Sequence, residues 1–152
     1  MGIAIGVVLH LEEGRFETYR EERVPELVAD LKGADLVIGF NSRRFDYAVL
    51  SGYTGEDYGR TLPTLDLLES LHRTLGFRVG LNHLAQETLG RGKSADGLQS
   101  LEWVKQGRFD LIEDYCRQDV EVLRDVYLFG RREGYVLIRS RGEERVRVPV
   151  DW

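Results

Sequence analysis

Residues 35–46 read Asp35-Leu36-Val37-Ile38-Gly39-Phe40-Asn41-Ser42-Arg43-Arg44-Phe45-Asp46. The stretch opens as a continuous apolar run of strand length and ends in a crowd of polar groups. An unbroken apolar run is the pattern of a strand covered on both faces, since both of its sides then meet apolar neighbours. In open α/β sheets, ligand-binding and catalytic groups gather at the carboxyl ends of strands. Asn41 and Asp46 occupy such an end, with Phe45 as an apolar anchor for the loop between them. The same residues also suit an ordinary turn with an asparagine cap and an aspartate at a helix start. Both readings stay open at this point.

Upstream, residues 2–9 are apolar and β-branched, followed by a Glu13-Gly14 turn and the alternating segment Arg15-Phe16-Glu17-Thr18-Tyr19, which predicts a β-hairpin. Pro25 suits a first helical residue, and Gly33 closes the helix that runs through Leu27, Val28 and Leu31. Downstream, Thr64-Leu65-Asp66-Leu67-Leu68 reads as the next strand, where Asp66 either lines a cleft or caps the following helix. Helices are then predicted to end at Gly76, to span about 82–89, and to begin after Asp96-Gly97. The longest is capped by Asp110, with Glu113 as its capping-box partner, and runs to Gly130. Residues 135–139 and 145–150 form a hairpin around Arg141-Gly142. This order of elements is α/β, with both antiparallel and parallel pairings.

Length and composition bound what the chain does. Its 152 residues suit one domain with a hydrophobic core, and a charged fraction of 31% with a hydrophobic fraction of 42% is that of a soluble globular protein. No apolar run approaches the ~20 residues that span a bilayer, so no membrane association is expected. The single cysteine, Cys116, excludes an intrachain disulfide and fits a reducing cytoplasm. A net charge of −5 argues against a protein that merely coats nucleic acid. Between Arg131 and Arg147, however, six arginines face three glutamates. That excess reads as a solvated hairpin surface or as a basic rim beside an acidic site.

The long helix carries an anomaly. Ile112, Cys116, Leu123, Val126 and Tyr127 form its apolar stripe, and the stripe continues through position 119, which is an aspartate. A carboxylate on a buried or half-buried face costs several kcal/mol unless a cation or donors compensate it. Tyr115 lies one turn earlier on the same face. An ion pair from Asp119 to Arg117 or Arg124 accounts for the pattern as well as a functional site does.

Asn41…Phe45-Asp46 and Tyr115-Cys116-Arg117-Gln118-Asp119 together resemble the second and third motifs of the metal-dependent 3′–5′ exonucleases that use four acidic residues and a motif-III tyrosine. The segment from Thr64-Leu65-Asp66-Leu67 through Leu84-Ala85 to Gly92-Lys93-Ser94 is similar to the exonuclease domains of family B DNA polymerases. It is closer still to YprB-like bacterial and archaeal exonuclease domains, some of which are joined to helicases. The resemblance implies a ribonuclease H-like mixed sheet flanked by helices over residues 1–134, with residues 135–152 a C-terminal hairpin extension of the same domain. It implies hydrolysis of 3′-terminal phosphodiesters of single-stranded DNA or RNA with two Mg²⁺ or Mn²⁺ ions, in DNA repair or replication, beside a helicase or polymerase partner.

Residue by residue, the resemblance makes Asp119 a direct metal ligand. Asp46 would be a ligand of the second ion through water, and Tyr115 would orient the attacking water. Asn41 and Phe45 would hold the loop or the substrate strand, and Lys93 would touch phosphate, although Gly92-Lys93-Ser94 also suits a plain flexible turn. The family's first motif, aspartate-x-glutamate on the first strand, has no counterpart here. Met1–Leu9 matches the second strand, and Glu12 and Glu13 fall at a hairpin turn. The expectation is therefore a domain lacking its central first strand, impaired in catalysis, whose open sheet edges rearrange or pair with a second copy. The alternative is a catalytically inactive nucleic-acid-binding, helicase-accessory or interaction module.

Overall fold

The computed structural model describes residues 5–91, 97–142 and 144–152, and it is a mixed α/β structure. The first strands are β1 (Ile5–His10) and β2 (Arg15–Arg20), antiparallel, with Ile5 opposite Arg20 and His10 opposite Arg15. Gly14 closes their turn at φ +66°, a left-handed conformation that glycine adopts without Cβ strain. Helix α1 (Val24–Lys32) has Pro25 in its first turn and ends at Gly33. Strand β3 (Val37–Gly39) pairs with β4 (Thr64–Asp66), and between them lie a π-turn at Ser42–Asp46 and helices α2 (Tyr47–Thr54) and α3 (Tyr58–Thr61). Helices α4 (Leu67–Leu75), α5 (Leu81–Leu89), α6 (Gly97–Lys105) and α7 (Phe109–Glu133) follow. The antiparallel pair β5 (Tyr135–Arg139) and β6 (Arg145–Pro149) completes the chain.

Instead of one mixed sheet, the described strands make three separate two-stranded sheets, so each strand has a hydrogen-bonded neighbour on one side only. The run 35–40 yields a strand of three residues, and Leu36 is 46% exposed. It is therefore not covered on both faces as its apolar composition suggests. At α7, Asp110 lies inside the helix and not at the position before it. Helix α7 starts at Phe109, Arg108 donates to the Asp110 carboxylate at 3.2 Å, and Glu113 accepts from the Thr18 hydroxyl at 3.0 Å.

The chain divides into two compact units. The first gathers described residues of 1–37, 42–64 and 94–120. Its core is Tyr19, Val24, Leu27, Val28, Tyr47, Leu50, Tyr58 and Leu62. One face of the β1–β2 hairpin supplies Tyr19 to this core. The other face meets the start of α7, where Arg20 lies over the Phe109 ring and Arg117 over Phe16.

The second unit gathers described residues of 38–41, 65–93 and 121–152. Its core includes Leu67, Leu71, Leu84, Val126, Val136 and Val148, each fully buried or nearly so. Thr88 on α5 both donates to the Leu137 carbonyl and accepts from the Leu137 amide, at 3.0 Å each, satisfying the backbone of β5 where it has no strand partner. Trp152 stacks on Tyr127, donates to Ser70 at 3.0 Å, and lies against Gly130.

Candidate functional site

The first half of α7 carries Tyr115, Cys116 and Asp119 within one turn of each other, beyond the buried Ile112. Cys116 and Asp119 are half-buried, as the stripe spacing implies for position 119. Tyr115 is half-buried too, with its ring edge-on to Trp103 at 6.2 Å and 70°. Arg124, one of the two arginines suggested as a partner for Asp119, donates to Asp125 at 2.9 Å. The other, Arg117, lies over Phe16.

Asp46 arrives from the opposite end of the sequence. It closes the π-turn and immediately precedes α2, but its side chain does not cap that helix. The flanking backbone is firmly tied. Tyr47 is 3% exposed and its hydroxyl meets Thr64 Oγ1 at 2.6 Å, while Arg43 donates to the Gly59 carbonyl at 2.6 Å and to that of Thr64 at 3.2 Å. Phe45 is 51% exposed, so the apolar anchor of this loop is Tyr47, not Phe45. The reason is the turn geometry: the extra residue of a π-turn shifts which side chain points inward.

The Cys116 thiol reports how these groups are arranged. Burial first, then the negative charges of Asp119 and Asp46, push it up to about 11. A charge shifts a neighbour's protonation appreciably only over several ångströms. Asp46 and Asp119 therefore both lie within electrostatic range of one thiol in the first unit, and Tyr115 is one helical turn from Asp119. Their oxygens are hard donors that fit a magnesium-like cation, and the negative charge they add to the effect of burial at the thiol favours one. The thiol itself, neutral at physiological pH, does not fit as a thiolate ligand. Two carboxylates suit one ion better than two.

The remaining expected site residues fall elsewhere. Asn41 belongs to the second unit and has φ +63°, the left-handed region that asparagine tolerates better than most residues. Its amide donates to Asp66 Oδ1 at 2.8 Å, and its side-chain oxygen accepts from Arg78 at 3.0 Å. Asp66, 5% exposed, also accepts from the amides of Leu68 and Glu69. Of the two roles open to Asp66, capping α4 is the one it performs. Lys93 lies outside the described residues.

One cluster had no signal in the sequence. His10, Glu17 and Asp30, all half-buried, bring their ligand-type atoms within 4.8 Å of one another. Hairpin register puts Glu17 diagonal to His10 on one face, and α1 adds Asp30. Arg15 at 2.6 Å and Arg23 at 3.3 Å hold Glu17 below the usual carboxylate range, and Tyr19 donates to Asp30. The arginines make Glu17 part of an ion-pair network, and His10 Nε2 lies 3.5 Å from Asp30. No protein-family model, curated protein or solved structure matches the chain.

Proposed function

We propose that the chain carries part of a metal-dependent 3′–5′ exonuclease site built on Asp46, Asp119 and Tyr115, within a ribonuclease H-like domain. The observation that supports this reading is the convergence of Asp46 and Asp119 on the Cys116 thiol. Two segments far apart in sequence, which resemble successive nuclease motifs, both place a negative charge within electrostatic range of the same thiol. In this reading the Asp46 and Asp119 carboxylates hold a Mg²⁺ or Mn²⁺ ion. A bound divalent cation there stabilises charge on the phosphodiester under attack. Tyr115, on the same helix face as Asp119, positions the attacking water through its hydroxyl. Trp103, against the edge of that ring, fixes the phenol's orientation. Phe45 remains a proposed substrate contact, with the exposure that such a contact needs.

Two carboxylates are half of what an ion pair requires, so turnover by these 152 residues alone is expected to be low. Release of nucleotides from labelled single-stranded DNA and RNA with Mn²⁺ tests the reading. Asp119→Asn and Tyr115→Phe should each abolish release, and release insensitive to both removes the assignment.

A second reading is a catalytically silent nucleic-acid-binding or accessory module. It is favoured by one observation: among the described residues, the only group of three metal-type donors is the arginine-neutralised cluster at His10, not the pair at Cys116. Nucleic-acid binding with no release under any divalent metal supports it.

A further inference from the structure

The end of α7 and the hairpin after it carry a row of stacked side chains. Arg132 lies over the Phe129 ring at 5.5 Å, Phe129 meets Tyr135 edge-to-face at 5.8 Å and 84°, and Arg147 lies over Tyr135 at 4.4 Å. Chain geometry explains the row. Gly134, at φ +78°, turns the chain out of the helix directly into Tyr135. Hairpin register then places Arg147 opposite Leu137, on the same face of the pair as Tyr135. Phe129 and Arg132 also line an open groove of about 360 Å³, together with Leu89, Leu128, Arg91 and Asp125. Leu128 is 41% exposed.

The charges are unequal. Arg91 pairs with Asp125, and Arg132 shares Glu133 at 2.9 Å, whereas Arg147 rests on the Tyr135 ring. Arg131 beside them donates to a phenol oxygen, that of Tyr127, at 3.0 Å, which leaves its charge uncompensated by that bond. The row is thus cationic, flat-sided and partly apolar.

The geometry points to a binding surface for single-stranded nucleic acid along Arg132, Phe129, Tyr135 and Arg147. A guanidinium laid on an aromatic ring offers its free face to an unpaired base and its N–H edge to phosphate. The apolar groove wall at Leu89 and Leu128 suits a base or sugar. A duplex keeps its base faces in its own stack, and an acidic peptide has no flat groups to match the row. This surface rests on the proposed function only for its ligand class, and its residues are distinct from the Asp46–Asp119 pair.

Fluorescence anisotropy with a labelled oligothymidylate tests it. The full chain should bind the single strand more tightly than a duplex of equal length, with affinity falling as salt rises. Arg147→Ala and Arg132→Ala should each weaken binding about tenfold. Arg147→Lys, which keeps the charge but not the plane, should fall between. Unchanged melting temperatures would show that the variants fold. The inference is overturned if the chain binds no oligonucleotide or if both alanine variants bind like the parent. Equal binding by Arg147→Lys, or equal competition by polyglutamate, also overturns it by reducing the effect to charge. Binding lost in the arginine variants without any nucleotide release would uphold this surface and sink the nuclease reading. Release with arginine-insensitive binding would do the reverse.

Discussion

Asp46, at the end of a π-turn, and Asp119, in the middle of the longest helix, both act on the thiol of Cys116. Neither residue is near the other in sequence, and the relationship exists because Asp46 and the first half of α7, up to Val120, belong to one compact unit. It makes the cysteine an internal reporter of the charge at the candidate site.

The first prediction follows from that reporter. Thiolate formation at Cys116, followed by ultraviolet absorbance or alkylation rate against pH, should have its midpoint near 11. Asp119→Asn and Asp46→Asn each remove a negative charge and should lower the midpoint, but not fully, because burial is the larger cause. The folded thiol binds its proton more tightly than the unfolded one. Its contribution to stability is therefore intact below about pH 9 and lost as pH rises towards 11. Cys116→Ala should flatten that alkaline decline in denaturant midpoints. A parent midpoint that neither Asp119→Asn nor Asp46→Asn moves would disprove the shared influence of the two carboxylates.

A second prediction concerns Gly130. A Cβ built at this position would lie 2.5 Å and 2.6 Å from two ring carbons of Trp152, and 3.1 Å from a Val150 methyl. Alanine is intrinsically better than glycine within a helix by about 1 kcal/mol, so propensity alone predicts that Gly130→Ala stabilises. The close ring predicts the opposite sign, a loss of about 1–3 kcal/mol from overpacking. Urea unfolding should show the loss, and it should shrink markedly in a Trp152→Ala background. Additive effects of the two changes would show that the ring does not fill this notch.

Gly130 also shows where the sequence is legible and where it is not. Helix periods, the two hairpins and most helix stops are readable because they rest on local chemistry: Gly76 and Gly90 end helices at positive φ. Gly130 carries the same letter but sits inside α7, three residues before its end at Glu133, and its purpose is tertiary. Asp119 was legible as an anomaly because a carboxylate interrupted an apolar stripe. Phe45 misled because the π-turn changes the inward-pointing residue from 45 to 47, and a five-residue loop carries no periodicity to show it. The cluster of His10, Glu17 and Asp30 was silent because only strand register and helix docking create it. Sheet composition was the largest departure. An apolar run such as 35–40 says that a strand is possible, but not how many neighbours it will have.

A third prediction tests the tie between Asn41 and Asp66. The Asp66 carboxylate caps α4 through Leu68 and Glu69 and also holds the Asn41 amide, so Asp66→Ala should cost more than a simple cap, on the order of 2–3 kcal/mol. Asn41→Gly should be mild, because glycine accepts φ +63° and keeps the amide. Asn41→Val should be severe, since a β-branched residue is strongly disfavoured there. Thermal melts of the three variants decide it, and a valine variant as stable as the glycine one would refute the left-handed turn.

The last prediction turns the cysteine reporter on the metal itself. If Asp46 and Asp119 hold a divalent cation, its positive charge opposes both carboxylates at the thiol. Saturating Mg²⁺ should then lower the Cys116 midpoint by at least as much as Asp119→Asn does, since it cancels two charges where the substitution removes one. Mg²⁺ is the right probe because it prefers oxygen and leaves the thiol unligated. The shift should vanish in the Asp46→Asn, Asp119→Asn double variant, and an equal ionic strength of NaCl should not reproduce it. The measurement needs no turnover, so it tests cation binding independently of catalysis. A midpoint indifferent to Mg²⁺ would leave the two carboxylates as neighbours without a cation to share.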